Sequence, residues 1–278
     1  MKNEDTIEVR IELDPINPWA DILTAELAEL GFDGFMTESN ALLAYCLESI
    51  NAQEAIESTS LSETNNLSYS VSYKTIPYQN WNASWEADFE PVYVENYATI
   101  RAPFHQGIEI KGFDVVIQPK MSFGTGHHQT TWLMTKAMCE EPVVNTVLDM
   151  GTGTGVLAII AEKLGAKEIE AVDIEEWSAE NTIENAVRNN CERIIARHGD
   201  VDVVQGTNFE WLLANINKNV LKAHMPKYHE LLAEGGKLFL SGFFISDIDE
   251  MKSICQDHGF KFIRSLTKDD WACLVLNK

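Results

Sequence analysis

The residues best suited to binding chemistry lie in one short run of the sequence, Val147-Leu-Asp-Met-Gly-Thr-Gly-Thr-Gly-Val156. An apolar strand ends at Asp149, and glycines follow at 151, 153 and 155 before an apolar helical segment. Glycine tolerates the backbone angles of a tight turn, and it lets a ligand approach the main chain with no side chain in between. The pattern therefore predicts a ligand-binding turn between a strand and a helix.

A second acidic residue ends the next strand, where it could bind the same ligand as the turn. Asp173 ends the next apolar segment, 22 residues beyond Gly151, which is the spacing that one strand-helix-strand unit produces. A carboxylate there can accept hydrogen bonds from both hydroxyls of an adenosine ribose. Val156 stands where a dinucleotide-dehydrogenase turn has its third glycine, and the Gly-Lys-Ser/Thr of a phosphate-binding loop is missing. An ordinary strand-to-helix turn is the competing interpretation.

Two further clusters could contribute to the same site. Residues 121–132 form a loop rich in hydroxyl groups and glycine, in front of a helix expected over 130–138. This loop could cover a ligand, or it could only cap the helix. Asn215 ends another buried strand, at the edge of the sheet where ligands of open α/β folds bind. Capping of the next helix is the alternative role, and Asn217 could serve it instead.

The elements that must position these residues alternate between strand and helix from Val143 onward. This alternation predicts a mostly parallel sheet with helices on both faces. Only Thr267-Lys-Asp-Asp270 separates the last two strands, so they must pair antiparallel. Strands are expected over 146–149, 168–173, 193–197, 209–215, 237–241, 260–266 and 271–276, and helices over 156–164, 178–189, 220–232 and 246–258.

The first 77 residues predict a separate small domain with the order β-α-β-β-α-β. Residues 6–13 and 67–76 alternate apolar and polar side chains, which is the period of a half-buried strand. Between them we expect a helix over 19–30, a strand pair around Ser39-Asn40 and a second helix that begins at Asn51. That order suits a ferredoxin-like sandwich, a fold that by itself predicts no function.

A connecting segment is expected between this domain and the α/β domain. Within residues 78–100, Trp81, Trp85 and Phe89 are spaced by four, so they would share one face of a helix. We interpret 78–100 as a linker, which leaves 1–77 and 101–278 as the two domains.

The motifs together resemble the ribosomal protein L11 methyltransferase family (PrmA). The resemblance rests on the runs Phe123-Gly-Thr-Gly-His-His-Gln-Thr-Thr131, Leu148-Asp-Met-Gly-Thr-Gly-Thr-Gly155, Val172-Asp-Ile174, Ala214-Asn-Ile216 and residues 231–242. It extends from about Trp81 to the carboxyl terminus. It implies an α/β fold, the Rossmann-like sheet of class I methyltransferases with a terminal antiparallel hairpin. A small ferredoxin-like α+β substrate-recognition domain would precede it.

The resemblance also implies an activity and a set of site residues. The activity is methyl transfer from S-adenosylmethionine to lysine and α-amino groups of a large-subunit ribosomal protein. Thr131, Gly151, Asp173 and Asn215 match the family's cofactor contacts, and Asp149 and Gly153 match the general class I motif. Asn215 is also the candidate catalytic residue.

Two departures from related patterns bear on this assignment. His127 and Gln129 stand where threonine and proline are frequent in the family, which affects the rigidity of the loop. Ile216-Asn217 follows Asn215 in place of the Pro-Pro-Tyr of methyltransferases that act on bases or glutamine. A methyltransferase for another protein or a small molecule, and a non-catalytic binding protein on the same fold, remain as alternatives.

Composition limits the partners and the compartment. Lys and Arg number 21 against 43 Asp and Glu, a formal net charge of −22. Such a charge disfavours direct contact with nucleic acid and would attract a basic protein, although it could serve solubility alone.

No apolar run approaches the roughly 20 residues that span a bilayer, and no secretory signal begins the sequence. Five scattered cysteines favour a reducing cytoplasm. His105, His127 and His128 lack a carboxylate or cysteine at ligand spacing, so we expect no metal site.

Overall fold

The chain divides into two compact units, Met1–Ala87 and Asp88–Lys278. The structure is a computed structural model and describes residues 4–64, 67–78, 89–119 and 128–278. Each unit has its own apolar core: the buried core residues of the first lie between Val9 and Leu61, and those of the second from Val94 onward. In the described part of the chain, no helix is long and apolar enough to cross a membrane.

The smaller unit is a four-stranded antiparallel sheet with two helices packed against it. The side chain of Asn51 accepts a hydrogen bond from the Glu54 backbone N–H at 3.3 Å, so the predicted helix cap is present. The β-α-β-β-α-β order predicted from the sequence is also present, and ferredoxin-like domains share it. The strands lie in the order β2-β3-β1-β4, with β1 at Thr6–Asp14, β2 at Gly34–Thr37, β3 at Ala41–Leu47 and β4 at Ser68–Ile76; α1 covers Trp19–Glu29 and α2 Ala52–Glu57.

The larger unit contains a seven-stranded sheet in the order β10-β9-β8-β11-β12-β14-β13. Strand β14 runs antiparallel to both of its neighbours, and the other pairs are parallel, so the predicted terminal hairpin is confirmed. The strands are β8 (Thr146–Met150), β9 (Glu168–Asp173), β10 (Ile194–His198), β11 (Phe209–Asn215), β12 (Leu232–Phe244), β13 (Lys261–Lys268) and β14 (Trp271–Asn277). The helices are α3 (Gln129–Cys139), α4 (Val156–Leu164), α5 (Glu176–Arg188), α6 (Lys218–Leu231) and α7 (Ile248–Asp257).

Helices cover both faces of this sheet, which explains its apolar strands. Successive side chains of a strand point to opposite faces. Val147 therefore enters the core that contains α3 and α4, and Leu148 enters the core that contains α6 and α7. The sequence-predicted alternation of strand and helix is confirmed in this unit, with element ends displaced by a few residues.

The linker predicted over residues 78–100 extends too far toward the carboxyl end, because residues from Val92 onward belong to the folded larger unit. Strands β5 (Val92–Val94) and β6 (Ala98–Arg101) lie in this range and form a three-stranded sheet with β7 (Phe113–Val116). The side chains of Val94, Ala98 and Ile100 are buried in the core of the larger unit. These strands are short, and their partners lie elsewhere in the chain, so local periodicity does not reveal them. The helix predicted from Trp81 and Trp85 falls outside the described residues.

Candidate functional site

The glycine-rich turn between β8 and α4 adopts a conformation that requires glycine. Gly151, Gly153 and Gly155 have φ angles of 71°, 59° and 81°, in the left-handed region that L-residues avoid. The Gly151 backbone N–H donates to the Val172 carbonyl at 2.8 Å, which ties the turn to β9. A Cβ atom on Gly151 would lie 2.1 Å from Cγ2 of Ile216, so a larger residue there would force Ile216 to move.

Asp173 ends β9 beside this turn, and two backbone donors hold its carboxylate. Oδ2 accepts from the Gly153 N–H at 2.8 Å, and Oδ1 accepts from the Glu175 N–H at 3.0 Å. Each carboxylate oxygen has about two acceptor positions, so one on each oxygen remains for a ligand. The side chain is largely buried but lines a cavity. Two acceptor positions that no donor among the described residues occupies therefore remain on a side chain that lines the cavity.

Asp149 lies beneath the turn and differs from Asp173 in environment. Its Oδ2 accepts from the Thr152 hydroxyl at 2.8 Å, and its buried Oδ1 has no hydrogen-bond partner among the described residues. Burial raises the pKa of Asp149 to about 7. Hydrogen bonds from the Thr152 hydroxyl and the Ala158 backbone oppose this shift, and the nearby charge of Asp173 adds to it to a smaller extent. Asp149 does not line the cavity, so the structure places it under the site.

The two asparagines after β11 have separate roles. The side chain of Asn217 accepts from the Asn219 backbone N–H at 2.9 Å and caps α6. Asn215 is therefore not needed as the cap, and its buried Oδ1 has no partner within the described ranges. Both residues line the cavity. An unpartnered buried amide oxygen is costly unless a ligand or water satisfies it, which makes Asn215 a candidate ligand contact.

The cavity has a volume of about 510 Å³ and lies at the carboxyl ends of β8, β9, β10 and β11. This is the edge where open α/β sheets bind ligands, and the volume suits a small molecule. Its lining is mostly apolar, with a few polar side chains. The residues include His128, Thr130, Gly151, Gly153, Asp173, Ile174, Trp177, Asp200, Asn215, Asn217, Val220, His224 and Trp271.

One wall of the cavity is formed by the start of α3. His128 caps this helix, its ring packs edge-on against Trp271 at 4.5 Å between centroids, and burial lowers its pKa. His128 is therefore mostly neutral at pH 7, which suits a cationic ligand. Thr131 is fully buried, does not line the cavity, and its hydroxyl has no partner in the described part of the chain.

The comparisons with known proteins agree with this geometry. Residues 21–278 match the family model described as ribosomal protein L11 methyltransferase (PrmA). The chain belongs to this family. Ribosomal protein L11 methyltransferases of Bacteroides fragilis and Porphyromonas gingivalis are 35% and 38% identical to it over 259 and 260 residues. The matches cover 91% of this chain in both cases and 92% and 89% of the relatives. The ribosomal protein L11 methylase structure from Lactobacillus delbrueckii subsp. bulgaricus superimposes with a TM-score of 0.63 at 26% identity, covering 68% of this chain and 99% of that one.

The chain is thus a methyltransferase, and the predicted resemblance is confirmed. The structure brings four of the predicted site residues together around the cavity, namely Gly151, Gly153, Asp173 and Asn215. The other two, Thr131 and Asp149, lie behind its wall. The 121–127 loop, including His127, falls outside the described residues.

Sequence reasoning missed Asp200, His224, Trp177 and Trp271 in this methyltransferase's cavity wall. Asp200 could have been found, because it lies just after the end of β10, close to the edge of the sheet at which Asp173 ends β9. The other three side chains reach the cavity only through tertiary packing.

Among described residues, no group of three or more His, Cys, Asp or Glu side chains could hold a metal ion. His105 lies against backbone: its Nδ1 accepts from the Ala102 N–H at 3.2 Å, and its Nε2 contacts the Phe89 carbonyl.

Proposed function

We propose that this methyltransferase moves methyl groups from S-adenosylmethionine to lysine and α-amino groups of ribosomal protein L11. The observation that carries the proposal is the anchored carboxylate of Asp173 beside the glycine-rich turn, in a cavity of the size of a small molecule. Family membership supports the choice of acceptor, because the relatives are named for methylation of that protein.

The residues present fit the proposed cofactor. Asp173 offers one free acceptor position on each oxygen for the two ribose hydroxyls. Oδ1 of Asn215, which has no partner among the described residues, can accept a hydrogen bond from the ammonium group of the cofactor or from the amine to be methylated. Gly151 and Gly153 leave the backbone open to the amino-acid portion. When bound, the cofactor supplies a methyl group on a cationic sulfonium, and the acidic side chains that line the cavity are Asp173, Glu175 and Asp200.

The acceptor amine must reach the site without its proton. A lysine amine has a pKa of about 10.4, so deprotonation at pH 7 adds roughly 4–5 kcal/mol to the barrier. The mostly apolar wall that includes Trp271 and Ile216 favours the neutral amine, because burial disfavours the charged form. We propose that Asn215 Oδ1 accepts one amine N–H and thereby directs the nitrogen lone pair. Positioning would then supply most of the catalytic effect.

The acidic smaller unit is proposed to hold the protein substrate. Residues 1–77 contain 14 acidic against three basic side chains, so this part is more acidic than the rest of the chain. The negative electrostatic potential of such a surface attracts a basic protein and repels exposed RNA. Its role as a substrate-recognition domain remains a proposal.

The test is methyl transfer itself. The purified protein is incubated with labelled S-adenosylmethionine and either isolated L11 or an extract from a strain that lacks the enzyme. We expect label in L11 at lysine and α-amino groups, and a lower kcat for Asn215→Ala. Asn219→Ala is the matched control, because that residue meets the Asn217 cap only through its backbone N–H. Label in other proteins but not in L11 would refute the acceptor, and cofactor binding without any transfer would refute the activity.

A further inference from the structure

A β-bulge interrupts β12 beside the cavity. Ser241 pairs with Cys273 and Phe243 pairs with Ala272, so β12 has one extra residue, Gly242, relative to β14. The φ angle of Gly242 is 98°, in the region that favours glycine. Bulges bend a strand locally and are common next to active sites. Gly242 itself lines the cavity, so the bend lies at the site.

The bulge brings the main chain of Gly242 against the residue that follows Asn215. A Cβ atom on Gly242 would lie 2.1 Å from the carbonyl oxygen of Ile216 and 2.8 Å from its carbonyl carbon. A Cβ atom on Gly151 would instead meet the end of the Ile216 side chain. That side chain can turn away from a methyl group at position 151, whereas a methyl group at position 242 has to displace main chain.

The direction of the Asn215 side chain depends on this main chain. Asn215 pairs with Ser241 at the end of β11, and Asn217 caps α6, so the peptide between the two asparagines is held at both ends. Oδ1 of Asn215 is buried and has no hydrogen-bond partner among the described residues. No hydrogen bond from those residues fixes where this oxygen points, which leaves the main chain of residues 215–217 to do so.

We propose that Gly242 is a positioning residue for methyl transfer: its contact with the Ile216 peptide sets the direction of the Asn215 amide, and thereby the place where the acceptor amine is held. A side chain at position 242 would displace Ile216 and carry Asn215 with it. A misplacement of about 1 Å in a group that orients a reactant can lower the rate about 100-fold. Asp173 ends β9, which β8 and β11 separate from β12 in the sheet, so cofactor binding should depend less on Gly242. This inference rests on the proposed function, because it takes Asn215 to direct the amine.

The test compares Gly242→Ala with Gly235→Ala in the full-length protein. Gly235 lies in the same strand with a φ of 76°, and a Cβ atom there would meet nothing within 4 Å among the described residues. Both variants therefore strain the backbone, but only Gly242→Ala displaces Ile216. In Gly242→Ala we expect kcat for L11 to fall about 100-fold and calorimetric affinity for S-adenosylhomocysteine to fall about 10-fold at most. The side-chain amide NMR signal of Asn215, assigned by its loss in Asn215→Ala, should shift. Gly235→Ala should leave all three unchanged.

Two further variants keep the inference testable if Gly242→Ala folds poorly. Ser241→Ala removes the hydroxyl that donates to a β14 carbonyl at 2.7 Å, and so loosens the bulge without adding atoms. It should shift the Asn215 signal and lower kcat several-fold. In thermal unfolding, Ile216→Ala should partly rescue Gly151→Ala but not Gly242→Ala, because only the first clash involves the Ile216 side chain. Rescue of Gly242→Ala would contradict the main-chain contact.

The outcomes separate this inference from the proposed function. An unchanged Asn215 signal in folded Gly242→Ala, or a kcat no lower than that of Gly235→Ala, would overturn the positioning role. A lower melting temperature with signal and kcat unchanged would show that the bulge is only structural. If Gly242→Ala does not fold, an unchanged signal and kcat in Ser241→Ala overturn the role instead. If the wild type transfers no methyl group to L11, the proposed function itself fails, and the amide signal alone still decides whether Gly242 positions Asn215.

Discussion

Replacement of Asp173 is the most direct perturbation of the proposed cofactor site. The carboxylate is anchored by the Gly153 and Glu175 N–H groups and retains two acceptor positions. Each charge-assisted hydrogen bond to a ribose hydroxyl contributes about 1.5–3 kcal/mol. Loss of both in Asp173→Ala should therefore weaken S-adenosylmethionine binding by about 100-fold or more. Calorimetry on the purified protein measures this change.

The same variant also removes the anchor of the turn, so the assay must separate the two effects. A cofactor analogue without its 2′-hydroxyl provides the separation. In the wild type, loss of this hydroxyl should cost about 1.5–3 kcal/mol, whereas in Asp173→Ala it should cost almost nothing. Glu175→Gln is the matched control, since it removes a cavity-lining charge two residues away and should leave the hydroxyl effect intact. If the hydroxyl contributes equally in the wild type and in Asp173→Ala, Asp173 does not bind the ribose.

Four further predictions follow from the structure. Gly151→Ala should lower stability by about 1–3 kcal/mol, because its φ is positive and its Cβ would meet Ile216; thermal unfolding should show partial rescue by Ile216→Ala. Burial gives Asp149 a pKa of about 7 when folded, so it keeps its proton there while the unfolded group ionises near pH 4. Stability should therefore fall between pH 4 and pH 7, by on the order of 4 kcal/mol at most; Asp149→Asn should remove this slope in thermal scans, and an unchanged slope would contradict the assignment. A fragment that begins at Tyr78 should keep cofactor affinity in calorimetry and lose methylation of L11, whereas a folded fragment without affinity would count against two separate roles. Initial methylation rates should fall from low to physiological salt and be lower on assembled large subunits than on free L11; equal, salt-independent rates would mean that the acidic surface serves solubility alone.

The parts of the fold that the sequence predicts are those with local causes. The strand-helix alternation, the glycine-rich turn and the terminal hairpin each depend on residues that are close together in the chain. The cap at Asn217 belongs to the same class, because a helix start is a local event. This is why Asn215 and Asp173 could be placed at the cavity before the structure was known.

The parts that the sequence does not predict depend on distant partners. Strand β7 is held in part by Asn189, the residue directly after α5: its side-chain amide donates to the Val116 carbonyl at 2.7 Å and accepts from the Val116 N–H at 2.8 Å. Nothing in the sequence near Val116 indicates that its backbone N–H and carbonyl form hydrogen bonds with Asn189. His224 likewise meets Asp200 only after α6 has packed on the sheet. Pairings of this kind require the tertiary structure.

The two acids of the glycine-rich turn show how environment can separate residues of one type. Asp173 is held by two backbone donors and faces the cavity, whereas Asp149 is buried one strand away and accepts from the Thr152 hydroxyl. The charge of Asp173 is one cause of the raised pKa of Asp149. Protonation of Asp149 therefore removes the repulsion between its carboxylate and that of Asp173, and Asp173 remains available as the acceptor. This arrangement places one anchored carboxylate at the cavity without a second full charge directly behind it.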